Sequence, residues 1–167
     1  MMQQPTKPAN VSDEVWERLL HATPQEARHL IREGLYDAPT SGLCPGFAQA
    51  NLIVLPKEQA YDFLLFAQRN PKPCPLLEVT DVGERMTQLC ATDCDIATDF
   101  PRYRIYEHGE LVAEVDNVAD WWRDDLVSFV IGCSFSFESE LIEAGIEMRH
   151  NTQGRNVSMY LTDVDCV

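Results

Sequence analysis

Basic side chains are scarce in this chain. Thirteen Lys and Arg stand against twenty-seven Asp and Glu in 167 residues, a formal charge of −14. A polyanion is gripped by a basic face, so nucleic acid is not an expected partner. The same charge slows the approach of anionic ligands, and an acidic substrate would need a locally cationic pocket. Long apolar runs are missing too. None approaches the ~20 residues that span a bilayer, so no membrane partner is expected. Met1 to Asn10 is polar and proline-bearing, with neither an apolar h-region nor an arginine-rich presequence, which predicts a frayed cytoplasmic start. Paired-cysteine motifs are also absent. Of six cysteines, the nearest neighbours are Cys90 and Cys94, with no histidine close by, so the spacing argues for reduced thiols over a zinc site. His21, His29 and His108 stand apart and join no metal-spaced cluster, and no internal repeat is visible.

What is present describes a globular chain. Apolar residues make up 45% and charged residues 24%, enough for a real core. Ser12 followed by Asp13 and Glu14 opens one short helix, and Thr23-Pro24-Gln25-Glu26 opens a second that stops at Gly34. Residues 36–46 read as loop. Phe47 to Leu55 reads as a strand, Lys57 to Gln68 as a helix, and Leu76 to Thr80 as a strand after the triple-proline segment Asn70 to Pro75. Residues 82–99 are weakly patterned, a loop with one helical turn. Arg102 to Tyr106 and Leu111 to Val115 flank a hairpin turn at His108-Gly109. From Asn117 onward Trp122, Leu126, Phe129, Val130 and Cys133 recur at helical spacing, favouring a helix over the alternative of a buried strand at 126–131. The expected fold is mixed α/β: a central mixed sheet layered with helices, preceded by a helical pair. Residues 1–11 form a disordered start, 12–162 one α/β domain divisible into lobes 46–116 and 117–162, and 163–167 a tail.

The run Gly132-Cys133-Ser134-Phe135-Ser136-Phe137-Glu138 is the densest chemistry in the chain. A thiol, two hydroxyls and a carboxylate follow the apolar run Leu126 to Ile131, and a helical pattern then closes at Gly145. Small polar residues there suit a helix start, whose free N–H groups can hold an anion.

Five segments carry a resemblance: Gln49-Ala50-Asn51-Leu52, the stretch Arg69 to Glu78, Trp122 to Val127, the run Gly132 to Glu138, and Gln153-Gly154-Arg155-Asn156-Val157. In these, from about residue 12 to about 162, the chain resembles the N-terminal portion of the D-glutamate cyclase-like proteins, also catalogued as hydro-lyases. The resemblance implies loss of water from D-glutamate to give 5-oxo-D-proline. Family members continue for roughly another hundred residues, and if that half supplied part of the pocket, this chain would be folded but inactive.

Lactam formation requires the site to neutralise a carboxylate, orient the amine, remove its proton and protonate the leaving oxygen. Ser134, Ser136 and the N–H groups of the following helix are candidates to grip one carboxylate, and Arg149 and Arg155 the other, by bidentate forks. Glu138 is the candidate proton carrier, and a dry pocket would raise its pKa to suit. Cys133 is a candidate nucleophile. Asn70 and Lys72, on the rigid loop Asn70 to Pro75, and Asn156, in the Gly154-Arg155-Asn156 turn, complete the substrate-binding set, the last chiefly through the resemblance.

Plainer roles stand beside each. Cys133 as a buried inert thiol, Ser136 as an N-cap, Glu138 as a partner of the helix dipole and Lys72 on a purely structural loop all fit the sequence. Phe135 and Phe137 read as core or pocket wall. His150 reads as a surface histidine or a general base. Asp124 and Asp125 beside Arg123 suit a solvated edge or one ion pair better than a metal, because adjacent helical residues do not share a face. No organic cofactor is called for, and a divalent metal has no supporting spacing. The expected ligand is a small-molecule carboxylate, with self-association left open. A non-catalytic acid-binding or partner-binding module is the alternative function.

Overall fold

The two leading helices follow from their caps. The computed structural model describes residues 6–155 and 161–167 (for Phe135 and Ser139, the backbone alone). Helix α1, Asp13–Leu20, starts where the Ser12 hydroxyl accepts from the Val15 N–H at 3.2 Å. Helix α2, Pro24–Arg32, starts with a complete capping box. Thr23 Oγ1 accepts from the Glu26 N–H, and the Glu26 carboxylate accepts from the Thr23 N–H at 2.8 Å. Gly34, at φ +71°, ends α2: its N–H and that of Leu35 fold back onto the carbonyls of Ile31 and Leu30. The pair encloses its own apolar cluster of Val11, Leu19, Ala27, Leu30, Ile31, Tyr36, Leu43 and Cys44.

The sheet is built around a strand from late in the sequence. Strand β1 (Ala50–Pro56), helix α3 (Lys57–Arg69) and strand β2 (Leu76–Val79) follow one another, yet β1 and β2 are not paired with each other. The hairpin β3 (Tyr103–Glu107) and β4 (Glu110–Val115) forms a separate two-stranded sheet. Strand β5 (Leu126–Gly132) then inserts between β1 and β2 and pairs antiparallel with both. The strand–helix–strand order does set β1 and β2 parallel to each other. Hydrogen bonding is nevertheless antiparallel throughout, because β5 runs the other way between them.

The helix expected across 117–133 is therefore corrected. Asn117 leads into a single 3-10 turn at Ala119–Trp121, its amide oxygen accepting from the Ala119 N–H at 2.8 Å, and the apolar run beyond it is a strand. Both faces of β5 are covered, so alternate residues cannot show a polar side, and the run imitates helical spacing. Val127, Phe129 and Ile131 face α3 and pack with Ala60, Phe63, Ile53, Leu55 and Leu76. Phe63 meets Phe129 edge-on, with centroids 4.8 Å apart. On the other side of β1, Leu52 joins Ala97, Tyr103, Val118, Phe100 and Trp122. Mixed α/β class holds.

The loop between β2 and β3 is ordered by buried acids and holds one isolated helical-type turn, where the Asp99 N–H donates to the Asp95 carbonyl at 3.0 Å. Glu78, 5% exposed, accepts from the backbone N–H groups of Gln88, Leu89 and Cys90 at 2.6, 3.1 and 2.8 Å. Asp99, its side chain wholly buried, takes a two-point grip from Arg32 at 2.7 and 2.6 Å, which ties α2 to this loop. Burial pushes the Glu78 and Asp99 carboxyls up, but these donors outweigh it and hold both below the ordinary range. Arg123 pairs with Asp125 at 2.9 Å, so that acidic doublet holds one surface ion pair. Among the described residues, no helix is long and apolar enough to cross a membrane.

Candidate functional site

Strand β5 delivers the chain to the site, and helix α4, Phe135–Glu143, leads away from it. Helix α4 closes at Gly145, φ +79°, where the Gly145 and Ile146 N–H groups return to the carbonyls of Ile142 and Leu141. The elbow between them is pinned twice to the residue before β1. The Cys133 N–H donates to the Gln49 carbonyl at 3.1 Å. The Ser136 hydroxyl accepts from the Gln49 N–H at 2.9 Å and donates to its carbonyl at 3.3 Å. Pro75 closes the far side: its carbonyl accepts from the Gly132 N–H at 2.9 Å, and a Cβ on Gly132 would lie 3.4 Å from the proline ring.

Glu138 stands one turn into α4, buried, with both oxygens engaged. Ser134 Oγ donates to Oε1 at 3.0 Å, and His150 Nε2 lies 2.9 Å from Oε2. His150 comes from α5, Arg149–Thr152, and is 3% exposed. Its other ring nitrogen, Nδ1, is buried and meets no hydrogen-bond partner among the described residues. A half-buried hydroxyl, a buried carboxylate and a buried imidazole are thus joined in a line. Such a line can hold a ring in one orientation and pass a proton.

The predicted residues divide accordingly. Ser134 and Glu138 come together, and Ser136 and half-buried Cys133 belong to the same elbow. By geometry the N-cap of α4 is Ser134, whose hydroxyl turns to Glu138, while Ser136 holds Gln49. Arg149 and Arg155 lie exposed on either side of His150, with no ion pair among the described residues. The Arg155 N–H donates to the His150 carbonyl at 2.7 Å, which fixes the turn after α5. Lys72 is exposed. Asn70 is buried and engaged elsewhere: its amide donates to the Phe66 and Val167 carbonyls and accepts from the Val167 N–H. Asn156 lies outside the described residues. Phe137, expected in the core or pocket wall, is exposed. His150 is the functional candidate that sequence reasoning underrated; nothing local marked it as buried, since its neighbours Arg149 and Asn151 are polar. Among the described residues no group of three or more His, Cys, Asp or Glu is placed to hold a metal ion.

Comparison with known proteins adds the family. The sequence model of D-glutamate cyclase matches residues 127–167, which take in β5, the elbow, α4 and α5. A protein of Clostridium beijerinckii named "Putative hydro-lyase" is 61% identical over 143 residues, covering 86% of this chain and 55% of the relative. One of Bacillus subtilis with the same description is 58% identical over 144 residues, 86% of this chain and 56% of the relative. Another, from Psychrobacter arcticus, is 55% identical over 147 residues, 88% and 56% respectively. The chain spans about half the length of the curated relatives it matches. With that identity across nearly all of its residues, the chain belongs to the D-glutamate cyclase family of hydro-lyase-type proteins.

Proposed function

We propose that this chain acts as a lyase that removes water from a small amino or dicarboxylic acid, with D-glutamate giving 5-oxo-D-proline as the reaction the family description suggests. The observation that carries this reading is the line Ser134–Glu138–His150, its carboxylate and imidazole buried, set where the central strand meets α4. Closing glutamate on itself needs little beyond orientation and proton transfer, because amine and carboxyl already share one molecule. The Glu138–His150 pair supplies the acid–base group. Ser134 and the first N–H groups of α4 favour a carboxylate at that end. Arg149 and Arg155 draw an anionic substrate toward a protein whose overall charge repels it. The reading calls on no organic cofactor. Incubation with D-glutamate, and separately with L-glutamate, followed by chromatography for 5-oxoproline, tests it. Product that accumulates with wild-type chain and is lost with Glu138→Gln supports the reading; no product from either enantiomer rejects it.

A second reading, a binding module for small acids, is favoured by the exposed guanidinium groups of Arg149 and Arg155, which form no ion pair among the described residues. It predicts saturable binding by calorimetry without turnover, and turnover would dismiss it.

A further inference from the structure

We infer that Nδ1 of His150 is the atom that meets the substrate's amino group, and that Glu138 acts through His150 as a positioning residue. This rests on the functional reading above and specifies which atom of the site exchanges the proton. Three observations lead to it. An ionised carboxylate only accepts hydrogen bonds, so a histidine nitrogen 2.9 Å from Glu138 Oε2 carries its hydrogen there. With that tautomer the lone pair of an uncharged ring sits on Nδ1. That nitrogen is buried, in a residue 3% exposed, and is unmatched among the described residues. A buried acceptor with no partner is uncommon and points to a group that arrives from outside the chain. The other end of the carboxylate is held by Ser134, so the ring is fixed from behind.

The ligand that suits a lone pair beside a carboxylate-held ring is an ammonium group. Its proton moves to Nδ1, and the positive charge formed on the ring faces Glu138. The freed amine nitrogen forms a bond to the carbon of the substrate's own distal carboxylate, and one carbon–oxygen bond of that carboxylate breaks. The departing oxygen leaves as water with two hydrogens, both from the original ammonium: one returned by Nδ1, the second following the same route. The third hydrogen stays on the lactam nitrogen. Charge and atoms balance with no further reactant.

The test uses the 167-residue chain labelled with ¹⁵N, with D-glutamate as the probe. A two-bond ¹H–¹⁵N correlation spectrum separates imidazole tautomers, and the His150 signals are those lost in His150→Gln. The expected spectrum has the hydrogen on Nε2, and D-glutamate shifts the Nδ1 resonance. Glu138→Gln redistributes the tautomers, Glu138→Asp restores part of the wild-type pattern, and His150→Gln lowers 5-oxoproline formation by about 10²–10⁴-fold. A hydrogen on Nδ1 in the free protein, or an Nδ1 resonance indifferent to D-glutamate, overturns the inference. An Nδ1 shift without any 5-oxoproline leaves the ammonium contact standing and removes the lyase reading. Product without an Nδ1 shift does the reverse.

Discussion

Replacing Glu78 by glutamine tests how the long loop between β2 and β3 is held. The carboxylate accepts three backbone N–H groups: Gln88 on one oxygen, Leu89 and Cys90 on the other. Glutamine preserves shape but offers only one acceptor oxygen. Whichever way the amide turns, at least one backbone donor then faces an NH₂ group and is orphaned, at a cost of about 1–3 kcal/mol. The donors still satisfied exchange a charged acceptor for a neutral one, losing roughly 0.5–1 kcal/mol each. The expected total is about 2–4 kcal/mol, a large share of the roughly 5–15 kcal/mol that holds an ordinary domain. With a urea slope of about 2 kcal/mol per molar, the midpoint falls by about 1–2 M, and amide exchange at residues 88–90 quickens. The variant also loses part of the acid sensitivity. A carboxyl held low in the folded state contributes stability above its unfolded value, about 4.3, and that contribution disappears as pH falls through the folded value. A midpoint within about 0.3 M of wild type, with residues 88–90 still protected, would refute the reasoning.

Phe129→Ala removes the ring at the centre of the α3–β5 contact and is expected to cost about 3–5 kcal/mol in urea unfolding. Asp99, also held low in the folded state, should make wild type lose stability as pH drops below about 4; Asp99→Asn flattens that limb of the pH–stability curve. The Cys90 thiol, on an exposed residue, is pushed up to about 12 by partial desolvation of the sulfur and by the neighbouring Glu78 carboxylate, so iodoacetamide should label it slowly at pH 8, and faster in Glu78→Gln. Asn70→Ala loses two hydrogen bonds to Val167 and one to the end of α3, and should destabilise by about 1–3 kcal/mol in the same urea assay.

What could be read from the sequence was local. The caps of α1 and α2, the Gly145 stop and the hairpin around His108-Gly109 depend on residues within one turn of each other, and each lies where the pattern put it. Strand β5 defeated the same reading because both its faces are buried as well as both its edges paired, and only the tertiary fold reveals what covers them. At the site, Ser134 and Glu138 are four residues apart on one helical face and were legible together. His150 reaches Glu138 from twelve residues away, across a turn, and no periodicity links the two. Asn70 sits in a motif-rich segment, yet its amide serves the chain around Val167, a pairing that no spacing announces.

Because the central strand is the last of the described strands to be synthesised, the sheet cannot assemble as its edges emerge. Strands β1 and β2 and the apolar side of α3 leave the ribosome without the segment that covers them. The stretch between Val79 and Leu126 takes roughly several seconds to translate. During that delay Ile53, Leu55 and Phe63 lack their principal partner, and this is the period in the protein's life when a holding chaperone has most to bind and self-aggregation most to gain.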